Sequence, residues 1–185
     1  MNDRAFVGLD VNRSGIQAVV RPTGEHWVTS IDDSGISETA ERLSAVQPEV
    51  VVMEAQCGLE LPVAGTLATV GLPLALVSPR SVRDFARAIG RVRGDRDHAG
   101  LLAHFAELVR PEAPPMPEKV VELLKAIRAR RQAVLMMLTL ERDRQETDFA
   151  PIHRDIRNHI FFLERSVVAL GEEINRMVRS SSSWR

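Results

Sequence analysis

Short apolar runs alternate with amphipathic segments along residues 4–110. The apolar runs predict five strands, at 4–10, 15–21, 25–31, 50–54 and 73–78. The segments between and after them predict four helices, at about 37–46, 59–70, 80–88 and 95–110. Three strands joined as hairpins and followed by strand–helix–strand crossovers make a mixed sheet with helices on both faces. The pattern therefore predicts an α/β fold.

The pattern changes after a proline-rich linker, because Pro111, Pro114, Pro115 and Pro117 cannot continue a helix. Two long helices are predicted beyond it. Their apolar positions are Val120, Leu124, Ile127, Val134 and Leu138 in the first, and Ile156, Ile160, Leu163, Val167, Leu170, Ile174 and Met177 in the second. Spacings of four and three residues are typical of a coiled-coil seam, so an antiparallel coiled-coil hairpin about 45 Å long is predicted. In the alternative, both helices pack back on the sheet as cover helices.

Two domains follow from this change. Residues 1–112 form the α/β unit. Residues 113–185 form the linker, the helical hairpin and a serine-rich tail from Ser180 that is predicted to be disordered. A chain of 185 residues is long enough for one domain with a core and an appendage.

Composition narrows the class of protein. The formal net charge of -1 means that any binding of nucleic acid must use local basic patches. The single cysteine, Cys57, excludes a disulfide framework and a cysteine-rich zinc site, and it fits a reducing compartment. The sequence has neither a signal segment nor an apolar run of about 20 residues. A soluble cytoplasmic protein with no membrane partner is expected.

Three separated acidic positions carry the candidate chemistry. Asp10 lies within the first apolar strand, where an unpaired charge is costly. Glu54 ends the fourth strand, and Asp95 begins the fourth helix. Side chains on these elements can converge at one edge of the sheet, and carboxylate oxygens are the ligands that Mg²⁺ prefers. Asp10, Glu54 and Asp95 are therefore predicted to be the catalytic acids of a two-metal phosphodiester-cutting site.

Helical geometry selects the remaining ligand. Residues three apart lie about 60° apart around a helix axis, so Asp95 and His98 share a face, and Leu102 and Phe105 continue it. Asp97 points elsewhere and is interpreted as compensation of the helix dipole. The predicted metal ligands are thus Asp10, Glu54, Asp95 and His98. In the alternative, His98 is a structural histidine at the start of the helix.

Four sequence segments together resemble one family. They are FVGLD around Asp10, VVMEA around Glu54, VSPRSVRDFARAIGR at 77–91 and GDRDHAGLLAHFAELVRP at 94–111. The chain resembles the DEDD-type transposases of the "IS one-ten" insertion-sequence family, to which pilin-gene invertases are related. The resemblance covers nearly the whole chain. It implies a ribonuclease H-like, RuvC-like nuclease domain with Mg²⁺ (or Mn²⁺) and DNA strand exchange. It also implies guidance by a structured bridge RNA and assembly into dimers or tetramers.

Two departures from the family limit what the resemblance implies. The family usually has Lys-Thr-Asp-x-x-Asp-Ala at its third and fourth acids, so Asp95 matches the third acid while the fourth falls on His98. The family's second domain, which carries a catalytic serine, would begin just beyond Trp184. The chain is therefore interpreted as an excised piece or a truncated copy that does not complete recombination alone.

A basic stripe accompanies the acids, with Arg80, Arg83, Arg87 and Arg91 at spacings of three and four residues. Arginine donors bind phosphate in pairs, so the stripe is predicted to contact nucleic acid, with a solvated helix face as the alternative. Two other functions stay open. One is a catalytically degenerate nucleic-acid-binding or dimerisation module. The other is a fragment of an actin-like ATPase or sugar kinase, whose opening hairpin is similar.

Overall fold

The computed structural model describes residues 4–56, 58–91, 97–144 and 150–181. Five strands form one sheet: β1 (Phe6–Asn12), β2 (Gly15–Arg21), β3 (His26–Thr29), β4 (Val50–Glu54) and β5 (Leu74–Val77). Six helices are present in these ranges: α1 (Asp33–Val46), α2 (Glu60–Thr69), α3 (Pro79–Ala88), α4 (His98–Val109), α5 (Glu118–Arg144) and α6 (Ala150–Ser180).

The sheet is mixed, with the strand order β3-β2-β1-β4-β5. β2 pairs antiparallel with both β1 and β3, whereas β1–β4 and β4–β5 are parallel pairs. The predicted α/β class, with hairpins first and crossovers afterwards, is confirmed. β1 is central and covered on both faces, which explains why its sequence is a continuous apolar run.

One face of the sheet is covered by α3 and α4. Phe6, Val50 and Val52 of the sheet form an apolar cluster with Leu102 and Phe105 of α4. α4 approaches β1 most closely at Gly8, where an added Cβ would meet the backbone of Ala99 and Ala103. The absence of a side chain at Gly8 therefore allows the start of α4 to lie directly on the central strand.

The other face carries α1 and α2, and α2 is in turn covered by the long helices. Nine of the ten residues of α2 are buried, because the helix lies between the sheet and α6. Gly65 makes this approach close, since its Cβ position is 3.2 Å from Val178 Cγ2 and 3.3 Å from Ile174 Cγ2. Leu124 of α5 joins the same cluster of buried residues. The start of α5 and the end of α6 are thus part of the main core.

α5 and α6 run antiparallel, as the contacts of Arg142 with Glu164 and of Arg131 with Val167 require. Their apolar positions divide into two groups. Val134, Leu138 and Leu163 pack only with one another and with Ile160, Val167 and Leu170. The apolar positions of α5 nearer the linker pack into the main core, as do Ile174 and Met177 of α6. One part of the pair therefore packs helix against helix and the other packs on α2, and the coiled-coil geometry itself stays a prediction.

Several predicted bounds shift. α1 begins at Asp33, four residues before the predicted start, because the Asp32 side chain caps it by accepting from the Gly35 amide. The serine-rich tail was predicted to be disordered, but Ser180 ends α6 and Ser181 is buried; residues 182–185 lie outside the described residues. Among the described residues, no helix combines the length and apolar character needed to cross a membrane.

We expect Gly8→Ala to destabilise the protein, because its methyl group would overlap the α4 backbone. Backbone cannot move aside as a side chain can, so the loss should be on the order of 1–3 kcal/mol or more. The measurement is urea denaturation followed by circular dichroism. Gly171→Ala is the matched control, because the nearest atom to its Cβ position is Arg131 Nε at 3.7 Å. That control should leave stability unchanged or raise it by up to about 1 kcal/mol. Equal stabilities of the two variants would contradict the close approach.

Candidate functional site

Asp10 and Glu54 lie side by side on neighbouring parallel strands. The last pair in the β1–β4 register is Leu9 with Met53, and the two acids follow it directly. Alternate residues of a strand share a face, so Asp10 lies on the same face as Gly8, and Glu54 on that of Val52, towards α4. Neighbouring strands are about 5 Å apart. The structure therefore brings together two of the three predicted acids, which we call the carboxylate pair.

Each acid of the pair is held by an amide side chain two residues further on. Asn12 Nδ2 donates to Asp10 Oδ2 at 3.0 Å, and Gln56 Nε2 donates to Glu54 Oε2 at 3.0 Å. Asn12 also accepts from the Ser14 amide, which fixes its side chain in the β1–β2 turn. The sequence analysis missed both amides. The signal was available, because residues two apart on an extended strand share a face.

His98, from α4, is the third ionisable side chain at the carboxylate pair. α4 begins at His98, and its Nε2 lies 2.6 Å from Glu54 Oε2. Asp97 is the N-cap of α4, accepting from the Gly100 amide at 2.8 Å, which agrees with the predicted role at the helix terminus. A ring nitrogen that donates a proton to a carboxylate has no lone pair for a metal. In the geometry observed, His98 therefore orients Glu54 through Nε2, and only Nδ1 could act as the predicted metal ligand.

The carboxylate pair has no cationic side chain beside it in the described ranges. No lysine or arginine there lies within 4.0 Å of Asp10 or Glu54 as an ion pair, and the Glu54 side chain is only 10% exposed. Asp10 Oδ1 and Glu54 Oε1 also accept no hydrogen bond from the described residues. Two carboxylates on adjacent positions of neighbouring strands repel each other unless a cation lies between them. The unpaired oxygens are hard donors of the kind that Mg²⁺ binds, so the donor set fits such an ion.

The third predicted acid, Asp95, lies outside the described residues. Within the described part of the chain, no group of three or more histidine, cysteine, aspartate or glutamate side chains is arranged to hold a metal ion. The described residues therefore supply two adjacent carboxylates and a histidine, and the predicted full ligand set stays a prediction.

Arg80, Arg83 and Arg87 of the arginine stripe lie on the exposed face of α3, while Val82 and Phe85 on its other face pack towards α4. The prediction that Arg91 continues the same helix face is wrong, because α3 ends at Ala88. Two carboxylates lie next to these arginines, those of Asp84 and Asp97. Asp84 lies 3.7 Å from Arg80 and 3.4 Å from Arg87. Arg91 contacts the carbonyl and carboxylate of Asp97, which caps α4. Exposed pairs of this kind contribute little to stability, so these arginines can exchange Asp84 for another anion.

Arg83 differs from the other three members of the stripe. Its side chain is exposed, and no carboxylate in the described ranges forms an ion pair with it. The Arg91–Asp97 contact joins the end of α3 to the residue before His98. The stripe and the carboxylate pair are therefore neighbours along one face of the molecule.

Comparison with protein-family models and with curated protein sequences finds no significant match for this chain.

We expect Mg²⁺ or Mn²⁺ to raise the melting temperature of the wild-type protein, because a bound cation removes the repulsion within the carboxylate pair. At ten times the dissociation constant the stabilisation is about 1.4 kcal/mol, or roughly 3–6 °C. Asp10→Asn should melt at or above the wild-type temperature without metal and should not respond to metal. The measurement is differential scanning fluorimetry with and without chelator.

Glu38→Gln is the control for this experiment, because Glu38 is a surface acid of α1 that pairs with Arg42. It should respond to metal as the wild type does. Equal responses of the wild type and Asp10→Asn would remove the metal site.

Proposed function

We propose that this chain is the nuclease-like part of a DNA transposase or site-specific recombinase of an insertion sequence, acting with Mg²⁺ on DNA. The observation that carries the proposal is the carboxylate pair just beyond the last parallel pair of β1 and β4, which has no lysine or arginine beside it in the described ranges. The strand order β3-β2-β1-β4-β5, with β2 antiparallel to its neighbours, supports a ribonuclease H-like fold. The choice of family in this proposal rests on the resemblance of the sequence motifs described above.

The side chains have distinct roles in this proposal. Asp10, on the central strand, and Glu54 beside it hold cations with their unpaired oxygens, and Asp95 is the third acid. His98 and Gln56 fix the orientation of Glu54 by donating to Oε2. When bound, Mg²⁺ would activate the attacking hydroxyl and stabilise the leaving oxygen. Such a site acts on phosphodiesters, and in the family that the motifs resemble strand exchange also uses a serine-bearing domain.

The arginine stripe is the surface that we assign to nucleic acid. Arg80, Arg83, Arg87 and Arg91 bind phosphates of DNA or of a structured guide RNA, since guanidinium groups donate in pairs to phosphate oxygens. Their position beside the carboxylate pair would bring a bound phosphodiester towards the acids. A cytoplasmic location is consistent with such partners.

Self-association through α5 and α6 is the second part of the proposal. The outer half of this pair exposes large apolar side chains, which are Met136, Met137, Leu140, Phe161, Phe162 and Val168. Exposed apolar groups of this density favour a protein–protein contact. A second copy of the chain supplies the same surface, so a homo-oligomer is the partner that we propose.

One observation favours a second function. The Glu54–His98 hydrogen bond satisfies Glu54 Oε2 without any metal, as a degenerate site would require. In that case the chain binds nucleic acid and associates with itself but has no catalytic role. Mg²⁺ distinguishes the two functions, because an intact site repels phosphate until a cation is bound.

We expect Arg83→Ala to weaken binding to branched DNA and to structured RNA and to lower the salt dependence of binding. Loss of one phosphate contact should reduce the slope of log K against log salt by about 1. The measurement is fluorescence anisotropy with a labelled four-way DNA junction over a series of KCl concentrations. Arg130→Ala is the control, because Arg130 is an exposed arginine on α5. An unchanged slope in Arg83→Ala would refute the role of the stripe.

The same titration, repeated with Mg²⁺ and with chelator, separates the two functions. Mg²⁺ should strengthen DNA binding by the wild type and have no effect on Asp10→Asn. Binding that is indifferent to Mg²⁺ in both proteins would favour the non-catalytic module.

We expect Phe161→Ser combined with Phe162→Ser to weaken self-association, because it removes two exposed rings from α6. The dissociation constant should rise at least about tenfold, as for loss of aromatic anchors in an interface. The measurement is light scattering after size-exclusion chromatography over a range of concentrations. Leu108→Ser, an exposed position on α4, is the control. A monomeric wild type, or a variant that associates equally well, would contradict the proposal.

A further inference from the structure

Gln17 lies directly beside Asp10, on the side of β1 away from Glu54. In the antiparallel pairing of β1 with β2, Gln17 is the register partner of Asp10. Partners in an antiparallel pair project to the same face of the sheet, with Cβ atoms about 4.5–5.5 Å apart. Gln17, Asp10 and Glu54 therefore form a row across three neighbouring strands, β2, β1 and β4.

The Gln17 amide differs from the other two amides at the carboxylate pair. Asn12 donates to Asp10 and Gln56 donates to Glu54, so each of them fixes one carboxylate. The side chain of Gln17 forms no hydrogen bond with any residue in the described ranges, although it lies next to Asp10. It is only partly buried. Its amide oxygen is therefore available to a ligand from solvent.

The neighbours of Gln17 leave this side of Asp10 open. Gly15, two residues earlier on β2, has no side chain to cover the amide. On β3 the register partner of Gln17 is Val28, whose side chain is 65% exposed. The β2 side of Asp10 is therefore accessible to a small ion and its water molecules.

The donor chemistry and the spacing of the row both suit divalent cations. Carboxylate, carbonyl and water oxygens are the ligands that suit Mg²⁺ and Mn²⁺. Asp10 Oδ1 accepts no hydrogen bond from the described residues, so it can share an ion with the Gln17 amide oxygen. Neighbouring strands are about 5 Å apart, and paired metal ions in phosphodiester-cutting sites lie roughly 3.5–4 Å apart. One ion on each side of Asp10 fits these two spacings.

We propose that Gln17 Oε1 is a metal ligand on the β2 side of Asp10. Asp10 is then shared between two divalent cations, one held together with Glu54 and the other together with Gln17. This inference rests on the proposed function, because it adds a ligand to the same site. A search for acids in the sequence does not find this ligand, since glutamine carries no charge.

The test is isothermal titration calorimetry of the full chain with Mn²⁺ as the probe. The wild type should bind two ions. Gln17→Met keeps the length and the neutral charge of the side chain but removes its oxygen, so it should bind the second ion at least about tenfold more weakly. Its melting temperature without metal should equal that of the wild type, because no internal hydrogen bond is lost. Gln132→Met, at an exposed position of α5, is the control and should bind as the wild type does.

Gln17→Glu tests the same position in the opposite direction. A third carboxylate in the row repels the other two, so this variant should melt below the wild type when metal is absent. It should bind Mn²⁺ at least about tenfold more tightly than the wild type, because the added charge attracts the cation. Saturating Mn²⁺ should therefore raise its melting temperature by more than that of the wild type.

The outcomes separate this inference from the proposed function. Wild-type affinity and stoichiometry in Gln17→Met, together with loss of binding in Asp10→Asn, would overturn the role of Gln17 and leave the proposed function intact. A wild type that binds one ion would also overturn it. Absence of saturable Mn²⁺ binding by the wild type would overturn both. If Gln17→Met does not fold, an unchanged Mn²⁺ affinity in Gln17→Glu decides against the proposal.

Discussion

The parallel pairing of β1 with β4 under α4 is the constraint on which the rest of the structure depends. It sets Asp10 beside Glu54 on one face, and the missing side chain of Gly8 lets α4 lie against that same face. α4 then brings His98 to Glu54 at 2.6 Å. A register shift of one residue would turn one acid to the opposite face and separate the pair. The geometry of the candidate site is therefore a property of the sheet more than of any loop.

Much of the fold could be predicted from the sequence, because each element carries a strong local signal. The apolar runs of β1 and β4, with Pro48 before β4, clearly predict where these two strands lie. Asp10 and Glu54 were predictable as neighbours, since each directly follows the apolar run of one of two adjacent parallel strands. Asn12 and Gln56 were missed because an amide beside a carboxylate has no composition signal of its own. Only the two-residue period of a strand shows that each amide lies on the same face as the carboxylate two residues before it.

The helical pair shows why the remainder could not be predicted. A repeat of four and three residues reports that an apolar stripe exists, but it does not report what covers the stripe. Val134 and Leu138 meet α6, whereas Leu124 of the same stripe meets α2 and the core. The charges behave similarly: Arg128 and Arg131 belong to one basic sequence segment, yet in the described part of the chain only Arg131 forms an ion pair with a carboxylate. Tertiary contacts make these distinctions, and no local pattern contains them.

The burial of α2 has a consequence for how this chain can be divided. Almost all of its residues are covered, from below by the sheet and from above by α6. Cutting the chain after residue 112 would strip that upper cover and leave an apolar helix bare to solvent. The linker prolines mark a change in the sequence pattern, but they do not mark a boundary between two separately packed units. Because residues of the sheet and of the helical pair share one apolar cluster, we expect the two to unfold together.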